Sequence, residues 1–164
     1  MTKFFSSKKY YFNIAAALVM AMFFIGDRIL KNIALNIGQG QIYPLLKDWL
    51  SFHYVSNPYI AFSIPLSGLL LNTLISSAIL FLLCYIIYLI ITKKNFIALI
   101  LPLTFILFGA ISNLLDRFLY GFVVDYFDLK YFTIFNIADV MIIIGTIYII
   151  LYELSRKPSN QNRN

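Results

Sequence analysis

The chain has 164 residues, of which 61% are hydrophobic, 18% aromatic and only 12% charged. Soluble domains are about half apolar and about a quarter charged, so this composition argues against a soluble globule and favours a membrane protein. Abundant aromatic residues exclude a disordered chain, and a single cysteine excludes a disulfide framework. The net charge of +6 lies in clusters between apolar runs. That arrangement is typical of membrane flanks, and we expect no nucleic-acid partner.

Four apolar stretches are long enough, or nearly so, to cross a membrane, because a helix needs about 20 apolar residues to span roughly 30 Å. We expect these spans at residues 10–26, 66–91, 96–115 and 133–153. The chain is therefore predicted to be an all-α membrane protein with a single domain over residues 1–164. The first run also resembles a cleavable secretion signal, but no small-residue cleavage site follows it.

Two segments are expected outside the membrane on the same side, at residues 27–65 and 116–132. In the first, which glycines and prolines interrupt, residues 41–46 and 52–55 are predicted to form short strands. Eight basic residues lie on the side of the termini and five on the side of these loops. The positive-inside rule therefore places both termini in the cytoplasm. The eight are Lys3, Lys8, Lys9, Lys93, Lys94, Arg156, Lys157 and Arg163, and the five are Arg28, Lys31, Lys47, Arg117 and Lys130.

Charged and amide side chains gather at the outer ends of the predicted spans. A carboxylate in or near the hydrocarbon is costly, so it is by default a functional-site hypothesis. Residues three or four apart share a helix face, which predicts one ion pair and two pairs of an amide with a carboxylate. The pairs are Asp27 with Lys31, Asn113 with Asp116, and Asn136 with Asp139.

The depth of Asp139 and Asp116 in the membrane follows from their distance along the helix to the inner membrane boundary. Asp139 is 14 residues from Glu153, about 21 Å along a helix, which leaves it roughly 9 Å short of the outer edge of the hydrocarbon. Asp116 is 22 residues from Lys94, about 33 Å, and should reach the interface. Asp139 is therefore the acid that resists a simple structural explanation.

Two carboxylates held together in a low-dielectric site share one proton, so the pair can act as base towards water and as acid towards a leaving amine. This is aspartic-protease chemistry. Asp139 is one candidate, and the residues alone leave both Asp116 and Asp125 open as its partner. Asp116 also has a purely structural interpretation, in which it forms an ion pair with Arg117. The single histidine and single cysteine give neither a nucleophile with a base nor the spacing of a metal site.

Five pieces of sequence, in this order, resemble the signal peptidase II family of four-span bacterial aspartic peptidases. The chain departs from the family pattern at Arg28, Tyr59 and Val140, where the family has Gln, Gly and Ser. The five pieces are Asp27 with Lys31, Asn57–Phe62 (NPYIAF), Gly109–Arg117 (GAISNLLDR), Gly121–Asp125 (GFVVD) and Phe135–Asp139 (FNIAD).

The resemblance implies a role for each of these residues. Asp125 and Asp139 would form the catalytic dyad, and Asp116 would be structural through Arg117. Asp27 and Lys31 would be structural near the site. The residues that would bind substrate or support the dyad are Asn57, Asn113, Arg117 and Asn136.

The resemblance also implies the reaction and its setting. The substrate would be a prolipoprotein with diacylglycerol on its lipobox Cys, cleaved just before that residue. The enzyme would need no metal or organic cofactor. It would work as a monomer among membrane lipids in the bacterial cytoplasmic (inner) membrane, with the site towards the periplasmic or outer face.

The competing hypothesis is a non-enzymatic one. In a small proton-linked carrier or assembly factor, Asp139 would relay protons or join helices. Such carriers commonly show paired halves with broken helices. The sequence shows no internal repeat, which favours the peptidase.

Overall fold

The computed structural model describes residues 2–59, 67–92 and 97–156. The described chain is mostly helical and carries one antiparallel sheet of four strands in the order β1-β2-β3-β4. The helices are α1 (Thr2–Ile37), α2 (Gly68–Thr92), α3 (Ile97–Tyr120) and α4 (Ile137–Ser155). The strands are β1 (Tyr43–Leu46), β2 (Leu50–Asn57), β3 (Val123–Leu129) and β4 (Thr133–Phe135).

Three of the described helices are long and apolar enough to cross a membrane: Gly68–Thr92, Ala98–Tyr120 and Ile137–Ser155. They confirm apolar helices at three of the four predicted spans. The predicted start of the last span, at residue 133, is wrong. Residues 133–135 pair with β3 as strand β4, and the helix begins only at Ile137. A short apolar run does not distinguish a strand from a helix, which is why the pattern misled.

The predicted outer loops are also more ordered than the sequence suggested. Helix α1 does not end at Gly26 but continues to Ile37, and α3 continues to Tyr120. The strands expected near residues 41–46 and 52–55 are present as β1 and β2. Strands β3 and β4, in the second loop, were not predicted.

The sheet joins the two loops, because β2 pairs with β3 at both of its ends, with a shift in register between Phe52 and Val55. Leu50 lies opposite Leu129 at one end, and Asn57 lies opposite Val123 at the other, with Val55 opposite Asp125 between them. Two residues distant in sequence, Asn57 and Asp125, are thereby brought to the same end of the sheet.

One face of the sheet packs on the end of α1. Ala34 of that helix is fully buried in a cluster with Phe52, Val124 and Tyr126. This contact fixes the sheet against the helix that also carries Asp27 and Lys31.

Helices α3 and α4 pack closely through two glycines. A Cβ atom at Gly109 would lie 2.5 Å from the carbonyl oxygen of Ala138, and one at Gly145 would lie 2.6 Å from that of Pro102. Small residues allow such close approach between membrane helices. Gly109 therefore sets the distance between α3 and the start of α4.

Some predicted features lie outside the described residues. These are the expected starts of two spans at Leu66 and Phe96, the part of NPYIAF beyond Tyr59, and the basic residues Lys93, Lys94, Lys157 and Arg163.

Candidate active site

Asp125 lies on β3 and is 2% exposed. Both of its carboxylate oxygens accept hydrogen bonds from side-chain amides. Asn57 Nδ2 donates to Oδ2 at 2.9 Å, and Asn136 Nδ2 donates to Oδ1 at 2.7 Å. The first donor comes from the neighbouring strand β2 and the second from the residue before α4. Strand pairing and the start of a helix together fix this carboxylate.

Asp139 is held by the cap of α4. Asn136 is the N-cap residue, and its Oδ1 accepts from the backbone N–H of Asp139 at 2.9 Å. In return, Asp139 Oδ2 accepts from the backbone N–H of Asn136 at 3.2 Å, which completes a capping box. Asn113 Nδ2 of α3 donates to the other oxygen, Oδ1, at 2.8 Å.

This geometry changes the meaning of the spacing between Asn136 and Asp139. The sequence predicted that both would lie on one face if helical. Asn136 is instead extended, with φ −129° and ψ 175°, so the two are linked through the cap. The side-chain oxygen of Asn136 accepts from the backbone N–H of Asp139, and its side-chain nitrogen donates to the carboxylate of Asp125. One amide therefore helps to position both acids.

The electrostatics of Asp125 favour its neutral form. Burial is the main cause, and the nearby charge of Asp139 adds to it, so the pKa of Asp125 rises from 3.8 to about 7. The hydrogen bonds from Asn57 and Asn136 oppose this rise because they stabilise the charged form. A pair of carboxyl groups with one pKa near neutrality is able to hold one proton and one negative charge at the same time.

A buried ionic cluster lies beside these two acids. Lys31 Nζ lies 3.0 Å from Asp27 Oδ2 and 2.7 Å from Asp116 Oδ2, which confirms the predicted pair with Asp27. Arg28 contacts the other oxygen of Asp116. Lys31 also donates to Asn113 Oδ1 at 2.8 Å, and Asn113 and Asp116 do share a face of α3 as predicted. Two acids and two bases balance their charges in the cluster.

The expected ion pair of Asp116 with Arg117 is wrong. Adjacent residues on a helix point in different directions, so Asp116 faces Arg28 and Lys31 while Arg117 faces elsewhere. The guanidinium of Arg117 donates to the carbonyl oxygens of Asn113 and Tyr59, at 3.3 and 3.1 Å. Its Nε is buried and has no partner among the described residues.

The ionic cluster supports the backbone on both sides of the acids. Asp116 Oδ2 accepts from the backbone N–H of Val124, next to Asp125, at 3.2 Å. Tyr126 is fully buried, donates its hydroxyl hydrogen to Asp27 Oδ1 at 2.8 Å, and accepts from the N–H of Ile137 at 3.0 Å. Sequence reasoning missed both Arg28 and Tyr126, because their partners are distant in the chain and no local spacing signals the contacts.

Comparison with known proteins identifies the family of the chain. The family described as signal peptidase (SPase) II matches residues 6–155. The chain belongs to the signal peptidase II family. Membership makes it a membrane protease that processes signal peptides, and it confirms the resemblance seen in the five sequence pieces.

Relatives and solved structures agree with this assignment. A lipoprotein signal peptidase of Clostridium tetani is 38% identical over 141 residues, which cover 82% of this chain and 89% of the relative. One of Clostridium acetobutylicum is 34% identical over 143 residues, covering 82% and 90%. A solved bacterial membrane enzyme superimposes with a TM-score of 0.76 at 27% identity and covers 92% of this chain and 93% of its own.

Proposed function

We propose that this signal peptidase cleaves prolipoproteins before a diacylglyceryl-modified Cys and that Asp125 and Asp139 are its catalytic pair. The observation that carries the proposal is the position of Asn136, whose side-chain amide donates to the carboxylate of Asp125 while its backbone N–H donates to the carboxylate of Asp139. The names of the relatives, lipoprotein signal peptidases, support the substrate class.

The proposed reaction uses the two acids in opposite protonation states. The ionised carboxylate accepts a proton from a water molecule, whose oxygen attacks the carbonyl carbon of the scissile peptide bond while the neutral acid donates its proton to the carbonyl oxygen. The tetrahedral intermediate then collapses as the C–N bond breaks. The proton taken from water goes to the departing amine, and the proton on the carbonyl oxygen returns to the dyad, so the starting state is restored.

The hydrogen bonds to the two carboxyl groups support the proposed reaction. Each oxygen of Asp125 and Asp139 already has one donor, so the carboxyl groups are fixed in orientation before substrate binds. We assign Arg117 to substrate binding, because its Nε is buried without a partner among the described residues. Asn57 and Asn113 are proposed to support the dyad.

The requirement for lipid follows from the position of the acids relative to the helices. Asp139 is the third residue of α4, a helix apolar enough to span the membrane. Acyl chains of the substrate, held among lipids, would fix the scissile bond at the level where that helix begins, which reduces the entropy lost in reaching the acids.

We further propose the full topology. Helix α1 would be the fourth span through its apolar residues 10–26, both termini would be cytoplasmic, and the site would face the outer side of the bacterial cytoplasmic membrane. The distribution of basic residues supports this orientation. One monomer contains every group that the proposed mechanism uses.

Cleavage by the purified chain in nanodiscs tests the proposal. We would compare a diacylglyceryl prolipoprotein with its unlipidated form, and wild type with Asp125→Asn, Asp139→Asn and Asp116→Asn. We expect cleavage of the lipidated form alone, loss of cleavage for the first two variants, and a measurable rate for folded Asp116→Asn. Loss confined to Asp116→Asn and Asp139→Asn would move the second acid to Asp116. A folded wild type that cuts no lipidated substrate would refute the function and favour a carrier or assembly factor.

A further inference from the structure

The two turns at the end of the sheet away from the candidate site form one surface, which we call the turn surface. One turn joins β1 to β2 and the other joins β3 to β4, and they lie side by side because Leu50 pairs with Leu129. The backbone N–H of Lys130 donates to the carbonyl of Trp49 at 3.0 Å. The rings of Trp49 and Tyr131 meet edge to face, with centroids 6.4 Å apart. These contacts join the two turns into a single unit.

The turn surface exposes large apolar side chains. Trp49 is 64% exposed, Tyr131 87% and Phe132 75%, and Leu45 and Leu46 are exposed beside them. Single exposed apolar residues are normal on a protein surface, but a contiguous group marks a site of contact with another molecule or with a membrane. Three such residues on the two adjacent turns, with Leu45 and Leu46 at the end of the adjoining strand β1, form a contiguous group of this kind.

The composition of the turn surface matches the interfacial region of a bilayer. Trp and Tyr are enriched at the level of the lipid headgroups, and lysines extend their amines to the headgroups while their stems stay apolar. Lys130 Nζ lies 5.3 Å from the ring centroid of Tyr131. Lys47 and Lys130 are accompanied by Asp48 and Asp128, so the charges balance and apolar burial, not attraction to anionic lipid, would drive binding.

The short connections to the helices place the sheet near the membrane. Helix α3 ends at Tyr120 and β3 begins at Val123, and β4 ends at Phe135 and α4 begins at Ile137. Both helices are apolar enough to span the bilayer, so the sheet starts where they leave it. A seven-residue strand such as β3 extends only about 23 Å from that point.

We propose that the turn surface lies in the bilayer interface and anchors the sheet to lipid. Strands β2 and β3 run from this surface to Asn57 and Asp125. Lipid contact at one end of the sheet would therefore set the tilt of the strands that carry the site at the other end. The anchor is a second membrane contact, separate from the spanning helices.

Intrinsic fluorescence tests the proposal directly, because Trp49 is the only tryptophan of the chain. The full chain would be reconstituted in phosphatidylcholine vesicles with and without phosphatidylcholine brominated on its acyl chains. We expect emission at shorter wavelength than that of a free tryptophan derivative, quenching by brominated lipid, weak quenching by iodide, and little change with added salt. Strong iodide quenching without quenching by brominated lipid would overturn the proposal. So would a blue shift that depends on the protein-to-lipid ratio without such quenching, which would indicate contact between two copies.

Two variants give the controls. Trp49→Phe combined with Leu80→Trp moves the reporter to α2, where Leu80 is 61% exposed, and provides a reference for tryptophan in hydrocarbon. Tyr131→Gln combined with Phe132→Gln removes two exposed rings, and we expect brominated lipid to quench Trp49 less in this variant. Unchanged quenching would refute a role of the turn surface as a unit. The measurements contain no substrate, so their outcome does not depend on the assignment of the catalytic pair.

Discussion

The raised pKa of Asp125 predicts that the proposed catalytic acid destabilises the folded protein above neutral pH. The pKa is about 7 in the folded chain against an ordinary value of 3.8, so the folded state binds more protons than the unfolded chain. The free energy of unfolding therefore falls as pH rises from about 4 through about 7, by about 1.4 kcal/mol per pH unit and about 4 kcal/mol in total. An amide at this position does not titrate. Asp125→Asn should remove this pH-dependent loss while abolishing cleavage.

The assay is unfolding of wild type and Asp125→Asn in mixed micelles, followed by far-UV circular dichroism. From about pH 5.5 to about pH 8.5, wild type should lose about 2 kcal/mol relative to the variant. Asp128→Asn, on the same strand, measures the effect of losing an aspartate outside the site. A constant difference between wild type and Asp125→Asn across this range would refute the argument that burial and the charge of Asp139 hold Asp125 neutral.

Other predictions concern helix packing and the ionic cluster. Gly109→Ala and Gly145→Ala should each destabilise the fold by about 1–3 kcal/mol, because the added methyl groups meet backbone carbonyls. Gly109→Ala should lower the cleavage rate more than Gly145→Ala does, because Gly109 lies beside the start of α4. Gly26→Ala, whose Cβ meets nothing within 4 Å, is the control, and equal activities of the first two variants would contradict the prediction. Asp116→Asn should cost about 3–5 kcal/mol by breaking its buried ion pair with Lys31; thermal unfolding at near-wild-type temperature would count against this.

The spanning helices were predictable because their signal is local. Long apolar runs identify α2 and α3 whatever they pack against. The start of α4 was not predictable in this way, because residues 133–135 are apolar but form strand β4 through pairing with β3. Strand pairing depends on residues far apart in the chain, and no apolar pattern marked β3.

The candidate site shows the same limit. The spacing of Asp27 and Lys31 predicted their ion pair correctly, since the contact lies within one helix. The choice between Asp116 and Asp125 as partner of Asp139 required the family resemblance. Asp125 meets Asn136 only through the fold of the sheet onto α4. Arg28 was missed for a related reason, since its contact with Asp116 crosses between two helices.

The amide of Asn136 has a consequence for the order of events during biosynthesis. It caps α4, the last helix of the described chain, and it also orients Asp125 on strand β3. In a chain still being made, β3 emerges before α4 and has no cap residue to hold its acid. On the proposed mechanism, the nascent protein stays inactive until α4 has formed and its cap residue orients both acids.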